Sequence, residues 1–257
     1  MFTVAVSSQK GGSGKTTTAV NLAAALGERG KRVLVLDLDP QCSASTWLGV
    51  PGEGRGLLEV LADGAPLAAL VRETSAPGVD LVPASVALVG AERLLAGKVG
   101  AEVALRRAVG RLPAGRWDFL LADCPPSLGL LTVSALAACS RVLVPVEAST
   151  MALAAVEQLA ATIRDAREAY NPDLKLWAVL ACRVDYRTNL AREVLAALHE
   201  RYGAAVLGSV IRETVRLREA WSFAKPVTLY APASRGAEDY RAAAAELLRR
   251  ARKEAGT

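Results

Sequence analysis

Residues 9–18 read Gln-Lys-Gly-Gly-Ser-Gly-Lys-Thr-Thr-Thr and follow directly on an apolar run, Phe2–Val6. An apolar run, then three glycines in four positions, then Lys-Thr-Thr leaves few folds open. It calls for a buried strand, a tight loop with inward-facing N–H groups, and a helix beginning near Lys15. The common phosphate-binding pattern is G-x-x-x-x-G-K-[ST]. Here its first glycine is replaced by Gln9, and the loop reads K-G-G-x-G-K-T-T instead. Gly11, Gly12 and Gly14 let the backbone fold tightly around phosphate oxygens, with Ser13 between them. The helix that follows adds its positive N-terminal end. Lys15 supplies a point charge for the terminal phosphates, the Thr16 hydroxyl suits Mg²⁺, and Thr17 completes the cradle. Lys10 does not easily reach the same phosphates from its own side of the loop, so it calls for a different task.

The rest of the chain alternates in the same way. Apolar runs at Phe2–Val6, Arg32–Leu38, Val79–Pro83, Phe119–Ala122, Arg141–Val146, Leu176–Cys182 and Ala205–Val210 read as strands. Helical patterns separate them at Lys15–Glu28, Ala87–Leu95, Glu102–Arg111, Leu130–Ala138, Ala152–Tyr170, Leu190–Tyr202 and Ser234–Lys253. Several strands are apolar nearly throughout, as parallel strands covered on both faces are. The expectation is an α/β fold: a doubly wound, mostly parallel sheet flanked by helices on both faces. The Gly/Pro-rich stretch Val50–Gly56 reads as a loop, so residues 1–257 are expected to form one domain. The first strand opens the chain, so no N-terminal helix-turn-helix domain is expected.

Composition narrows the function classes. At 52% hydrophobic and 5% aromatic, the core is built mainly from Ala, Leu and Val. No apolar run reaches the roughly 18–20 residues of a membrane helix. The first strand runs into the loop without a basic leader or cleavage site, so a cytoplasmic protein is expected. The four cysteines (Cys42, Cys124, Cys139, Cys182) form no C-x-x-C pair, and His199 is the single histidine. Buried reduced thiols, not a zinc site, are the expectation. Basic and acidic residues balance over 1–182, so the whole net charge of +5 lies in the last 75 residues. A basic surface there would favour a polyanion.

Two acidic elements complete the chemistry. Asp37-Leu38-Asp39-Pro40-Gln41 ends the second strand, and period-2 geometry puts Asp37 and Asp39 on one side of it. Ligands bind at that end of open α/β sheets. Leu120-Leu121-Ala122-Asp123 is an apolar strand ending in an acid suited to a Mg²⁺ water.

These motifs resemble those of the deviant Walker A ATPases, the P-loop NTPase group that contains ParA/Soj, MinD and the nitrogenase iron protein. Asp37–Gln41 matches that group's D-x-D-P-Q, and Asp123–Leu128 resembles D-x-P-P-S-L. Val184–Leu190 resembles the D-x-R-T-x-L segment, and Val215–Pro226 the V-R-L-x-E-A-P-S-x-G-K segment, of ParA/Soj in particular. The chain is identified as a divergent member of that family. The resemblance implies an ATPase using ATP and Mg²⁺, slow without its partner. It implies a homodimer when ATP-bound, in which Lys10 reaches across to the partner's nucleotide. Lys10, Lys15 and Asp39 are the implied catalytic residues, with Asp39 near the γ-phosphate. Thr16, Asp39 and Asp123 are the implied metal shell. The implied function is DNA partitioning, with non-specific, nucleoid-associated DNA binding through Arg187 and Arg216. Arg212 and Arg218 are next in line, then the tail at Arg249, Arg250, Arg252 and Lys253. A ParB-type centromere-binding protein is the implied activator. The chain departs from the pattern at Cys42-Ser43 for Gly-Asn, at Arg212-Glu213-Thr214 for Pro-Arg-Asn, and at Glu147 and Ser149 for Gln and Glu.

The alternatives are a MinD-like membrane-surface ATPase, a ParA-like ATPase positioning a protein cargo, and a cluster-bearing reductase like the iron protein. The first needs bulky apolar residues along a terminal helix. Tyr240–Lys253 carries only Leu247 and Leu248 beyond Tyr240 and alanines, so no membrane contact is expected. The last needs cysteines in two exposed loops, which Cys124 and Cys139 do not supply.

Overall fold

The computed structural model describes residues 1–54 and 56–256. Arg55, inside the expected 50–56 loop, lies outside the described residues, as does Thr257. In chain order the first half holds β1 (Phe2–Val6), α1 (Lys15–Gly27), β2 (Val33–Asp37), α2 (Ser43–Trp47), α3 (Leu57–Asp63), β3 (Arg72–Glu73), β4 (Val79–Val82), α4 (Ala91–Leu95) and α5 (Ala104–Gly110). The second half holds β5 (Phe119–Asp123), α6 (Leu130–Ala138), β6 (Arg141–Glu147), α7 (Ala152–Ala169), β7 (Lys175–Cys182), α8 (Asn189–Tyr202), α9 (Val215–Ser222), α10 (Val227–Tyr230) and α11 (Arg235–Ala255).

The strands form one sheet in the order β3-β4-β2-β5-β1-β6-β7. All pairings are parallel except β3 with β4 at the edge. Side chains alternate across the strands and feed two separate cores. Ala5, Leu34, Leu36, Leu120 and Ala122 face α3, α5 and α6. Val4, Val6, Val33, Val35 and Leu121 face α1 and α11. A strand covered on both sides has no polar face to show, which is why β2 and β5 are buried from end to end. Removing the Leu34 side chain, as Leu34→Ala, would cost about 2–5 kcal/mol. Helix α1 is buried over nearly its whole length, and its alanines let β2 and α11 approach closely. On α11, Tyr240, Ala243, Leu247, Leu248 and Ala251 are buried in that same core. The terminal helix is thus a docking helix, and its apolar stripe is already covered.

The expected strand Ala205–Val210 does not form. It is replaced by a segment touching β7 through the single bridge Val179–Val206, with a second bridge, Val184–Arg212, further on. Leu207 N and Ile211 N do donate to β7 carbonyls. Between them, Gly208 N and Ser209 N turn instead to the Glu246 carboxylate on α11, at 3.1 and 2.9 Å. The competing acceptor breaks the ladder. The expected helix Ala87–Leu95 splits into a tight turn and the short α4. Helices α2, α3, α9 and α10 were not anticipated, being eight residues or shorter.

Candidate active site

In adjacent parallel strands Val6 pairs with Asp123 and Asp123 with Asp37. The carboxyl ends of β1, β5 and β2 therefore finish level, and the chain leaves each into a loop at the same rim. Gly12 (φ 75°) and Gly14 (φ 91°) hold left-handed backbone that side chains resist. Gly14 directly precedes α1, and no side chain caps that helix. The first intrahelical bond is Thr18 N to Gly14 O at 2.8 Å, leaving the N–H groups of Lys15, Thr16 and Thr17 for an outside acceptor. Lys15 is buried, and among the described residues its Nζ donates only to Lys10 O at 3.3 Å. Burial lowers its pKa, opposed by Asp123, Cys124 and Asp39. A buried ammonium with one long carbonyl contact is poised for phosphate oxygens.

The three acids have different roles. Asp37 faces α2: its Oδ2 accepts from Ser45 N at 2.8 Å and Ser45 Oγ at 2.6 Å. Burial still raises its pKa to about 6. The strand ends at Asp37, so Asp39 lies one step beyond it in a turn. Its N–H donates to Asp37 Oδ1 at 3.2 Å, and its own Oδ1 accepts from Gln41 N at 2.9 Å. The Asp39 carboxylate is half-buried. Asp123 is fully buried, and both its oxygens lack a hydrogen-bond partner. Burial and then the charge of Asp37 push its pKa well up, while Thr16 and Lys15 oppose the shift. An orphaned carboxylate beside the Thr16 hydroxyl and a phosphate cradle is the donor set that hydrated Mg²⁺ uses, with few protein ligands and phosphate supplying the rest. No group of three or more His, Cys, Asp or Glu forms a metal cage among the described residues. The buried Ser13 hydroxyl and the Gln9 amide nitrogen are also unpartnered. The residues fit Mg²⁺ and a nucleotide phosphate. Thr16 and Asp123 would hold the ion, which would neutralise charge on the transferring phosphoryl group.

Lys10 turns away from the cradle. Its Nζ donates to Glu147 Oε2 at 2.7 Å at the end of β6. That contact lowers the Glu147 pKa, with Arg183 adding to it.

Beyond Gly12, Gly14 and Thr17 opens a cavity of about 470 Å³, walled by Trp47, Leu217 and Trp221. It has room and apolar walls for a nucleoside. Trp47 is fixed by its Nε1 donating to Lys225 O at 2.8 Å. Neither tryptophan was anticipated; the one trace in the sequence is Trp221 standing where the family pattern carries proline.

Arg212, Glu213, Thr214 and Arg218 are shared between this cavity and a groove of about 740 Å³. The groove gathers Arg187, Arg212, Arg216 and Arg218, and adds Arg235, which sequence reasoning missed. These arginines are not equivalent. Arg212 is locked in a two-pronged pair with Asp239, Nη2 to Oδ1 at 2.6 Å and Nε to Oδ2 at 3.0 Å. Arg187 folds onto Asp185 at 2.7 Å, and Arg216 onto Glu219 at 2.8 Å, both at the surface. Arg218 and Arg235 are exposed and form no salt bridge among the described residues. In the tail, Arg250 is tied to Trp177 O, Ala205 O, Val206 O and Glu246.

The model of a family described as an AAA domain matches residues 1–176. The chromosome-partitioning ATPase Soj of Thermus thermophilus is 47% identical over 247 residues, covering 96% of this chain and 95% of that protein. The sporulation initiation inhibitor protein Soj of Bacillus subtilis is 41% identical, covering 92% of this chain and 94% of that protein. A Mycobacterium smegmatis structure named cobyrinic acid a,c-diamide synthase, with bound ATP analogue and magnesium, superposes with a TM-score of 0.85 at 38% identity. It covers 100% of this chain and 97% of that one. Together with the cradle, the orphaned Asp123 and the matching motifs, these likenesses place the chain in the ParA/Soj family of deviant Walker A ATPases, with ATP and Mg²⁺ as its cofactors.

Proposed function

We propose that this protein is a partitioning ATPase. It pairs with a second copy when ATP is bound, holds DNA without reading sequence, and lets go on hydrolysis. The observation that carries the reading is the common wall of nucleotide cavity and arginine groove at residues 212–218. Nucleotide in the cavity and polyanion in the groove would sense the same loop. Lys15 and the free N–H groups of α1 position the phosphates, and Asp39 orients the attacking water. Lys10 swings to the partner's phosphates. One protomer offers few phosphate contacts, and a pair doubles them, which lets ATP switch DNA affinity. The cell's DNA-bound ParB-type partner is the expected activator, and a cytoplasmic, nucleoid-associated location goes with this role.

The buried stripe of α11 speaks against membrane insertion, and no helix among the described residues is long and apolar enough to cross a membrane. The M. smegmatis protein's name points to amide formation. Drawing ammonia from glutamine calls for a nucleophilic cysteine beside a histidine. Here Cys124, Cys139 and Cys182 are buried with thiols pushed upward, and only Cys42 is partly open.

Co-sedimentation with DNA under ATP, ADP and no nucleotide tests the proposal. Binding is expected with ATP alone, indifferent to sequence and falling steeply with salt. An ATP-bound protein that ignores DNA at low salt overturns it.

A further inference from the structure

Glu147 sits where the family pattern carries glutamine, and it takes two cations at once. Lys10 Nζ lies 2.7 Å from its Oε2, and Arg183 Nη1 lies 3.3 Å from its Oε1. Arg183, held at a left-handed φ of 54°, reaches on to Glu213 at 3.4 Å. The chain of charges runs from the phosphate loop to the loop that walls both cavity and groove. Its first link joins residues 137 apart in sequence. A glutamine at position 147 would accept one hydrogen bond from Lys10 but would not hold it by charge.

We propose that Glu147 is a positioning residue that holds Lys10 on its own subunit, so that ATP-driven pairing of two copies must first break the Lys10–Glu147 contact. This rests on the cross-subunit role of Lys10 given above. Lys10 cannot serve both partners: an ammonium drawn to a neighbouring copy's phosphate leaves Glu147 to Arg183 alone. Arg183 then has a stronger hold on Glu147 and a weaker one on Glu213. Nucleotide phosphate, with more charge than a carboxylate, competes for Lys10 only when the second copy brings it within reach. The contact thus opposes pairing until both copies are loaded.

The test uses the full chain with Mg²⁺ and a non-hydrolysable ATP analogue, with pairing followed by sedimentation velocity. Glu147→Gln removes the charge and keeps the shape. An exposed ion pair shifts an equilibrium by about fivefold at most, and two are broken per dimer, so the dimer dissociation constant should fall by up to roughly 25-fold. With ATP, the gain should appear in the concentration dependence of hydrolysis, while turnover at saturation stays level. Lys10 should also be acylated faster by an N-hydroxysuccinimide ester in nucleotide-free Glu147→Gln than in the parent, read by mass spectrometry. Pairing that is unchanged or weaker in Glu147→Gln, with Lys10 labelled at the parental rate, overturns the proposal. Lys10→Ala separates the two ideas. If it fails to pair while Glu147→Gln behaves as the parent, only the restraint is wrong. If Lys10→Ala pairs normally, the cross-subunit role is wrong and takes the restraint with it.

Discussion

The phosphate loop and the arginine groove meet at one cavity yet are built on opposite principles. Around the loop, polar groups are buried and left without partners: both Asp123 oxygens, the Ser13 hydroxyl, and a Lys15 ammonium with one long contact. Around the groove, Arg187, Arg212 and Arg216 each already hold a carboxylate. Unsatisfied buried groups are costly, and they persist where a ligand will satisfy them. Satisfied surface pairs such as those of Arg187 and Arg216 cost little and break easily. The loop is therefore a site waiting for its ligand. The groove is a surface whose nominal charge overstates the number of free cations.

The sharpest way to break this contrast is at Lys10, the one loop cation that is paired. Lys10→Ala should keep nucleotide binding, since Lys15 and the α1 N–H groups remain, yet lose about 10²–10³-fold in hydrolysis. Equilibrium binding of a fluorescent ATP analogue beside a phosphate-release assay checks both halves. Parental hydrolysis would remove Lys10 from the reaction.

The buried acids offer a second handle through pH. A carboxyl whose folded pKa lies above its unfolded one takes up a proton more readily when folded, so acid favours folding across that window. Asp37 is raised from 3.8 to about 6, and Asp123 is raised as well. The nucleotide-free protein should therefore gain about 1 kcal/mol from Asp37 between roughly pH 7 and pH 5, with Asp123 adding to it, and Mg²⁺ with ADP should erase the Asp123 share. Thermal melts across the range decide it. A midpoint that falls steadily from pH 7 to pH 5 without ligand would contradict the raised pKa that burial gives these acids.

Within the groove, pairing predicts which arginine does what. Arg212→Ala strands Asp239 and should destabilise the fold by about 2 kcal/mol. Arg218→Ala and Arg235→Ala should leave the melt within about 0.5 kcal/mol of the parent. Each removes one contact from both subunits of the ATP-bound pair and should nevertheless reduce the salt slope of DNA binding by about two. Urea titration and a salt series of DNA binding measure the two effects. A normal slope in the Arg218→Ala, Arg235→Ala double variant would return the DNA contact to Arg187 and Arg216.

The smallest effect compares backbone strain in the two regions. Cys42 (φ 55°) lies beside the acids and Ala224 (φ 50°) beyond α9, both left-handed. Left-handed backbone costs a side-chain-bearing residue about 1–2 kcal/mol, and glycine returns part of that as lost chain entropy. Cys42→Gly and Ala224→Gly should each stabilise by up to about 1 kcal/mol in urea titration.

What was legible in the sequence was whatever is contiguous. The cradle from Lys10 to Thr17 needs only its own glycines and the helix that follows, so residue types in order are enough to write it. The strands covered on both faces announced themselves by unbroken apolar runs. The segment at 205–210 misled because its apolar pattern is that of a strand, while the acceptor that diverts it, Glu246, lies 37 and 38 residues away. The Asp37–Asp39 element is only partly a strand: the strand ends at Asp37, and Asp39 lies in the turn beyond it, its N–H donating to Asp37 Oδ1.

By itself the sequence determined the phosphate chemistry, the alternating α/β class and the family, because each depends on local order and burial pattern. Only the tertiary structure decided that β5 lies between β1 and β2, which sets Asp123 beside Asp37. The tertiary structure also decided that Trp47 and Trp221 face one cavity, and that Lys10 meets Glu147 while Arg212 is spent on Asp239. These depend on distance in space between residues far apart in the chain. Charge pairing and cavity walls arise only when packing brings such residues within a few ångströms, and no local pattern encodes that.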